Sequence, residues 1–296
     1  MNKFNTILVT GSTGQLGQSI QSIASDYPEY EFVFASRQHL DLSDEGSIAK
    51  FFERKSFDII INCAAHTAVD KAESEVELAN QVNHLAVQQL AAIAKQHQTK
   101  LIHISTDYVF SGKQHRPYIE TDEVAPNGVY GKTKLQGEQA IQKIIKTNAI
   151  IIRTSWVYSE YGNNFVKTIL KLGQERDSLN VIYDQVGTPT YARDLAKAII
   201  SIIQSQAFGQ IDLKTNIFHF SNEGLCSWYD FAKSIFELTN IQCEINPIET
   251  RDYPTPATRP HYSVLSKAKI KKMYGLAIPY WKDSMKQCLT ALQEKA

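Results

Sequence analysis

Cysteine is scarce in this 296-residue chain: Cys63, Cys226, Cys243 and Cys288 stand far apart, with no CxxC pair or metal-ligand spacing. Scattered thiols argue against a disulfide framework or a bound metal and fit a reducing compartment. Long apolar runs are absent as well. Nothing approaches the ~20 residues that a membrane helix requires, and the early run Ile7-Leu8-Val9 is much shorter than a signal-peptide core. Neither sign of charge is in excess, with 31 basic and 31 acidic residues and a net charge of zero. That balance removes any electrostatic reason to expect nucleic acid or an anionic membrane as partner. The expectation is a cytoplasmic protein, monomer or homodimer, working on a small molecule. At 43% hydrophobic residues, the chain has ample material for a core.

Strand-like and helix-like segments alternate along the first half. Thr6–Thr10 is an apolar run ending at Gly11, and Gly14–Ser25 places Leu16, Ile20 and Ile23 at helical spacing. Glu31–Ala35, Phe57–Asn62, Lys100–Ser105 and Ala149–Arg153 read as further strands. Ser43–Arg54, Ala72–His97 and Tyr130–Lys146 read as the helices between them. Strands separated by single helices need crossovers, so the fold class is α/β, a Rossmann-type doubly wound parallel sheet. A strand at Asn180–Tyr183 and a helix at Tyr191–Ser205 return to this domain. Beyond Asp212 the beat fades into short strands, including Ile217–Ser221, and a proline-rich loop, Tyr253–Pro260. The expected division is a cofactor domain over 1–155, joined by the returning strand and helix near 179–205, and a smaller substrate-binding lobe over most of 156–296.

Gly11, Gly14 and Gly17 fall between the first strand and the first helix. Glycines there let backbone N–H groups and a helix N-terminus approach a pyrophosphate. The second strand closes on Ser36-Arg37 instead of an acid. A guanidinium suits a 2′-phosphate, which favours NADPH over NADH. Asp41 and Leu42 follow closely enough to flank an adenine.

Two later segments carry acid–base chemistry. Ser105-Thr106-Asp107-Tyr108 ends the strand begun at Lys100, and Tyr130 and Lys134 lie four apart at the start of a helix, hence on one face. A phenol with an ordinary pKa of roughly 10 is a poor acid–base group at neutral pH. An ammonium nearby and an oxidised nicotinamide are expected to draw it toward roughly 7. Thr106 offers a hydroxyl to a substrate carbonyl.

The glycine turn, the Ser-Thr pair and Tyr-x-x-x-Lys together resemble the extended short-chain dehydrogenases/reductases, and within them the branch that reduces 4-keto sugars carried on dTDP. The similarity runs almost end to end. It includes Asn62–Asp70 (NCAAHTAVD), Tyr130–Glu138 (YGKTKLQGE), Arg153–Tyr158 (RTSWVY), Gly162–Phe165 (GNNF), Asp184–Thr190 (DQVGTPT) and Tyr253–Pro260 (YPTPATRP). The resemblance implies that Gln15, Leu16, Asp41, Leu42, Ala65, His66 and Thr67 line NADPH or NADH, His66 through packing or backbone positioning. It implies Tyr130 as proton donor, Lys134 as its partner and ribose ligand, and Thr106 as the group orienting the carbonyl. Val69, Asp107, Tyr108 and Trp156 would meet the sugar nucleotide, and Arg259 its diphosphate. The implied reaction is reduction of the 4-keto group of dTDP-4-dehydro-β-L-rhamnose. Another nucleotide-sugar 4-ketoreductase of opposite stereochemistry, or a non-catalytic regulatory subunit on the same fold, would share these residues. Some relatives hold a divalent metal between subunits through acidic residues. Gln18 and Ser19 occupy the corresponding part of the first helix here, so no metal is expected.

Overall fold

Runs of β-branched and other apolar residues decide the central sheet. In the computed structural model, which describes residues 6–210 and 214–295, β3 (Ile59–Asn62) is buried along its whole length. Such a strand requires cover on both faces. It lies in a six-stranded parallel sheet with β1 (Thr6–Thr10), β2 (Glu31–Ala35), β4 (Lys100–Thr106), β5 (Ala149–Thr154) and β10 (Asn216–His219), in the order β10-β5-β4-β3-β1-β2. The first five residues of the expected cofactor domain fall outside the described residues.

Period-two alternation sorts the strand side chains into two layers. Ile7, Val9, Ile59, Ile61, Ile102, Ile150 and Ile152 pack beneath α1 (Gln15–Ile23) and α8 (Ala192–Gln204). Leu8, Ile60, Leu101 and Ile151 pack on the other face, against α2 (Glu45–Phe52), α5 (Ala86–His97) and α6 (Val129–Ile144). Burying each such side chain contributes about 1.5–3 kcal/mol, so the sheet with its two helical layers is the rigid platform of the molecule.

Three readings change. The helix expected over Ala72–His97 is broken: α3 (Val69–Ala72) is separate, and α4 (Val76–Asn80) continues through a π-helical turn at Gln81–Leu85 into α5. The acids of the break are engaged by other elements. Glu73 accepts the backbone N–H of Val129, and Glu75 meets His66 at 2.7 Å. The strand expected near 179–183 is β7 (Ser178–Ile182), which pairs with β12 (Glu244–Ile248) outside the main sheet. Alternate residues of β7 are exposed, so it could not serve as a strand covered on both faces. The sixth place goes instead to β10, from the segment read as part of the lobe.

The second half also contributes short ribbons: β6 (Val157–Tyr158) with β9 (Thr190–Tyr191), and β8 (Val186–Gly187) with β11 (Cys226–Ser227). Helices α7 (Phe165–Glu175), α9 (Gln206–Gly209), α10 (Trp228–Thr239), α11 (Ala268–Tyr274) and α12 (Trp281–Gln293) complete it. Tyr158, Val166, Ile169, Phe231, Ile235, Trp281 and Met285 form the core of this lobe, beyond the C-terminal ends of the strands. Among the described residues no helix is long and apolar enough to cross a membrane.

Candidate active site

The cleft opens where the strand order turns back, between β1 and β3, at the carboxyl edge that open α/β sheets use for ligands. Gly11 there has φ +63°, a conformation that glycine adopts at no steric cost, and a Cβ would stand 2.8 Å from the Ala64 backbone. At Gly17 a Cβ would fall 2.4 Å from the Gly11 carbonyl oxygen, so this glycine seats α1 tightly on the turn and does not face the cleft. The α1 N-terminus, with no side-chain cap, leaves its N–H groups available to an anion. Gln15 ties this turn to the lobe: its side chain donates to Val157 O at 3.2 Å and accepts from Ser159 and Asn164 at 3.0 and 2.9 Å.

Beyond β2, Arg37 projects outward, 73% exposed, with Nε 3.1 Å from Asp41. Burial works to raise the Asp41 carboxyl, but hydrogen bonds from Ser43 and Arg37 outweigh it and hold the group below its ordinary range. Arg37, Asp41 and Leu42 together wall this end of the cleft.

Helix α6 delivers Tyr130 and Lys134. Its first N–H, from Val129, is capped from outside by Glu73 Oε1 at 2.8 Å. Gly131 sits so close to the Tyr108 carbonyl that a Cβ would reach 2.2 Å, which fixes the helix start against the end of β4. There Thr106 caps a turn of 3₁₀ helix through Tyr108 N–H (3.2 Å), and its hydroxyl donates to Asp107 Oδ1 at 3.0 Å. The other Asp107 oxygen is buried without a hydrogen-bond partner. Burial raises the Asp107 carboxyl to about 6, against the lowering effect of the Ser263 and Thr106 hydroxyls.

Burial pushes the Tyr130 phenol up to about 12, with the Thr106 hydroxyl offsetting part of the rise and the Asp107 charge adding to it. The neighbouring Lys134 has its own partners: Nζ donates to Ile104 O at 2.7 Å and faces His103 Nε2 at 3.4 Å. Lys134 is itself 1% exposed, and burial lowers it to about 8, opposed by the nearby Glu138 and Cys63. A phenol held protonated is a donor in waiting, as a reduction requires.

At the rim, the Tyr108 and Tyr130 rings meet edge to face with centroids 5.4 Å apart. Trp156, in the left-handed region at φ +47°, stacks on Trp228 at 3.5 Å and 8°. Val69 opens α3 beside them. Ala65, His66 and Thr67 pass over the cleft, and Asn83 clamps His66, accepting from its N–H (2.9 Å) and donating to its carbonyl (3.1 Å). Every residue singled out from the sequence except Gly17 and Arg259 lines this one cleft of about 760 Å³. Arg259 is bound instead to Asp70, at 2.6 and 3.2 Å, and braces the proline-rich loop against α3.

Sequence reasoning missed several members of the site. Asn83 sits on the π-helical turn, a common mark of function, which only the structure reveals. Glu138 and Arg153 form a bidentate ion pair, 1% and 3% exposed in their side chains, and Glu138 also accepts from Ser105. Both lay inside quoted segments, but nothing in their spacing announced the pairing. Trp228 had no motif around it. Among the described residues no group of three His, Cys, Asp or Glu is arranged to hold a metal ion.

The family model described as "RmlD substrate binding domain" matches residues 5–294. The chain is 41% identical to the dTDP-4-dehydrorhamnose reductase of Aggregatibacter actinomycetemcomitans, over 95% of this chain and 97% of that one. Its fold superposes on the crystal structure of a dTDP-4-dehydrorhamnose reductase from Clostridium acetobutylicum with a TM-score of 0.90 at 41% identity, covering 97% and 99% of the two chains. A dTDP-4-dehydrorhamnose reductase from Bacillus anthracis, solved in complex with NADP, gives 0.90 at 34% identity over 97% and 99%.

Proposed function

The chain belongs to the RmlD substrate binding domain family, and from that membership we propose that it reduces the 4-keto group of dTDP-4-dehydro-β-L-rhamnose to give dTDP-β-L-rhamnose, with Tyr130 as proton donor. It is an NAD(P)H-dependent oxidoreductase. The observation that carries the reading is the convergence of Tyr130, Thr106 and Lys134, from α6 and β4, on the cleft that begins at the glycine turn.

The cradle fits a dinucleotide: a Cβ at Gly11 would crowd Ala64, and Gly14 likewise lines the cleft without a side chain. Gly11, Gly14, Gln15 and Leu16 would hold the diphosphate, Arg37, Asp41 and Leu42 the adenosine end, and Lys134 the nicotinamide ribose, beneath Ala65, His66 and Thr67. When bound, the reduced nicotinamide supplies the hydrogen and electron pair that the keto carbon takes up. Tyr130 passes its phenolic proton to the carbonyl oxygen as that oxygen gains charge, and Thr106 orients the same oxygen once its hydroxyl turns from Asp107. Lys134 then stabilises the phenolate and needs only to redirect its N–H groups to do so. Trp156, Val69, Asp107 and Tyr108 wall the sugar, and stacked Trp156 and Trp228 exclude water from its far side.

The test is NAD(P)H oxidation with enzymatically made dTDP-4-dehydrorhamnose, run with each cofactor, followed by NMR of the product. Rhamno configuration at the new hydroxyl supports the reading. The opposite epimer, or binding without turnover, refutes it.

A further inference from the structure

Three neighbouring strands carry one polar side chain each at the same level. Thr10 on β1 is aligned with Asn62 on β3, and Asn62 with His103 on β4. They are 1%, 1% and 0% exposed, and the residues one step earlier, Val9, Ile61 and Ile102, are apolar core. Buried polar groups are tolerated only when hydrogen-bonded, and these are bonded in series. The Thr10 hydroxyl donates to Asn62 Oδ1 at 2.6 Å, Asn62 Nδ2 lies 3.0 Å from His103 Nδ1, and His103 Nε2 faces Lys134 Nζ.

The series has a direction. A neutral imidazole has one donor nitrogen and one acceptor, and an amide has one end of each kind. With the Asn62 carbonyl taken by Thr10, its N–H goes to His103 Nδ1, and the ring proton sits on Nε2, pointing at Lys134. That suits a free amine, whose lone pair can accept. An ammonium has only N–H groups to offer, so it requires Nε2 as acceptor. The ring proton must then sit on Nδ1, with the Asn62 carbonyl turned toward it and the amide N–H groups toward Thr10, whose hydroxyl already accepts from Ala64 N–H at 3.3 Å and must turn its own proton away from Asn62. Burial and the charge of Lys134 both hold His103 well below its ordinary range, so the ring stays neutral in either arrangement.

We propose that His103 is a positioning residue for Lys134, and that the Thr10–Asn62–His103 series reverses its hydrogen-bond direction when Lys134 gains or loses its proton. One proton is taken up from water in total, and Lys134 bears it; the ring exchanges its own proton from Nε2 to Nδ1. The state of the amine is thereby matched at Thr10, beside the glycine turn. The other titratable groups acting on Lys134 are Glu138 from α6, which also pairs with Arg153, and Cys63 after β3, and Tyr130 lies one turn before it on α6. This inference rests on the reading of Lys134 as the partner of Tyr130.

The test is long-range ¹H–¹⁵N NMR of the histidine rings in the full-length protein between pH 6 and 10, with His103→Gln used to assign His103. The two His103 ring nitrogens should exchange their donor and acceptor signatures with one midpoint, and the exchange should vanish in Lys134→Met. Nitrogens that keep their identities throughout, or an exchange that persists in Lys134→Met, overturn the proposal. In kinetics, folded His103→Phe should move the alkaline limb of kcat/KM down by about one pH unit, since the ammonium loses its acceptor, while His103→Gln keeps the wild-type limb. An unmoved limb in His103→Phe also overturns it, and if that variant does not fold, the NMR decides. Absence of turnover in the wild type refutes the reductase reading alone, because the NMR result stands independently of activity.

Discussion

The hydroxyl of Thr106 donates to Oδ1 of Asp107 at 3.0 Å, so the group expected to orient a substrate carbonyl is held by a carboxyl that is 2% exposed. Burial raises that carboxyl to about 6. The folded protein therefore retains a proton that the unfolded chain releases at roughly 3.9, and stability falls as pH rises between the two values, the cost persisting above them. Asp107→Asn removes the cost. It should unfold at higher denaturant than wild type at pH 8, by at most roughly 2–3 kcal/mol, and lose this advantage near pH 4, while turnover falls because Thr106 loses its charged acceptor. Denaturant melts at the two pH values check this; equal stability at pH 8 contradicts it.

Lys134 carries the opposite sign. Burial presses its amine down to about 8, so between that value and roughly 10.4 the unfolded chain binds the extra proton and stability climbs with pH. Lys134→Met should abolish the climb. It should be at least as stable as wild type at pH 7 and lose turnover on the order of 100-fold or more, as expected when an acid–base assembly is dismantled. Urea unfolding at pH 7 and pH 9.5 reads the first effect, and a variant that melts earlier at pH 7 would count against it.

The Glu138–Arg153 pair binds α6 to β5 behind the site. Removing one member of a buried pair leaves an uncompensated charge and costs about 3–5 kcal/mol. Arg153→Met should show that loss as a lower urea midpoint with an unchanged slope. Adding Glu138→Gln should recover part of it, a double-mutant comparison that a purely steric defect would not satisfy.

Arg37 is exposed just beyond β2, and the proposed reading assigns it to an adenosine 2′-phosphate. Arg37→Ala should raise KM for NADPH about tenfold or more, the loss of one charge-assisted hydrogen bond, and change KM for NADH little. A parallel loss with both cofactors would mean that Arg37 shapes the loop and does not discriminate.

The parallel sheet and most of the candidate cleft were legible in the sequence because both are written locally. A glycine turn after a strand, and a tyrosine four residues before a lysine, carry their geometry in their spacing. What depends on distant partners was not. Asn62, His103 and Lys134 meet only because β3, β4 and α6 are neighbours in space, and Arg153 finds Glu138 across fifteen residues. β10 was read as part of the lobe because the long excursion before it interrupts the strand–helix beat. The α3–α4 break was hidden because Glu73 and Glu75, good helix residues, are used as ligands for Val129 and His66.

The most direct test is Tyr130→Phe in the full-length protein, with turnover of dTDP-4-dehydrorhamnose and NADPH affinity measured on the same preparation. Removing only the phenolic oxygen should lower kcat by roughly 10²–10⁴-fold and leave NADPH affinity within about twofold, since the lost group is not a major anchor for the dinucleotide. Turnover within a few-fold of wild type, with cofactor bound normally, would contradict Tyr130 as the proton donor.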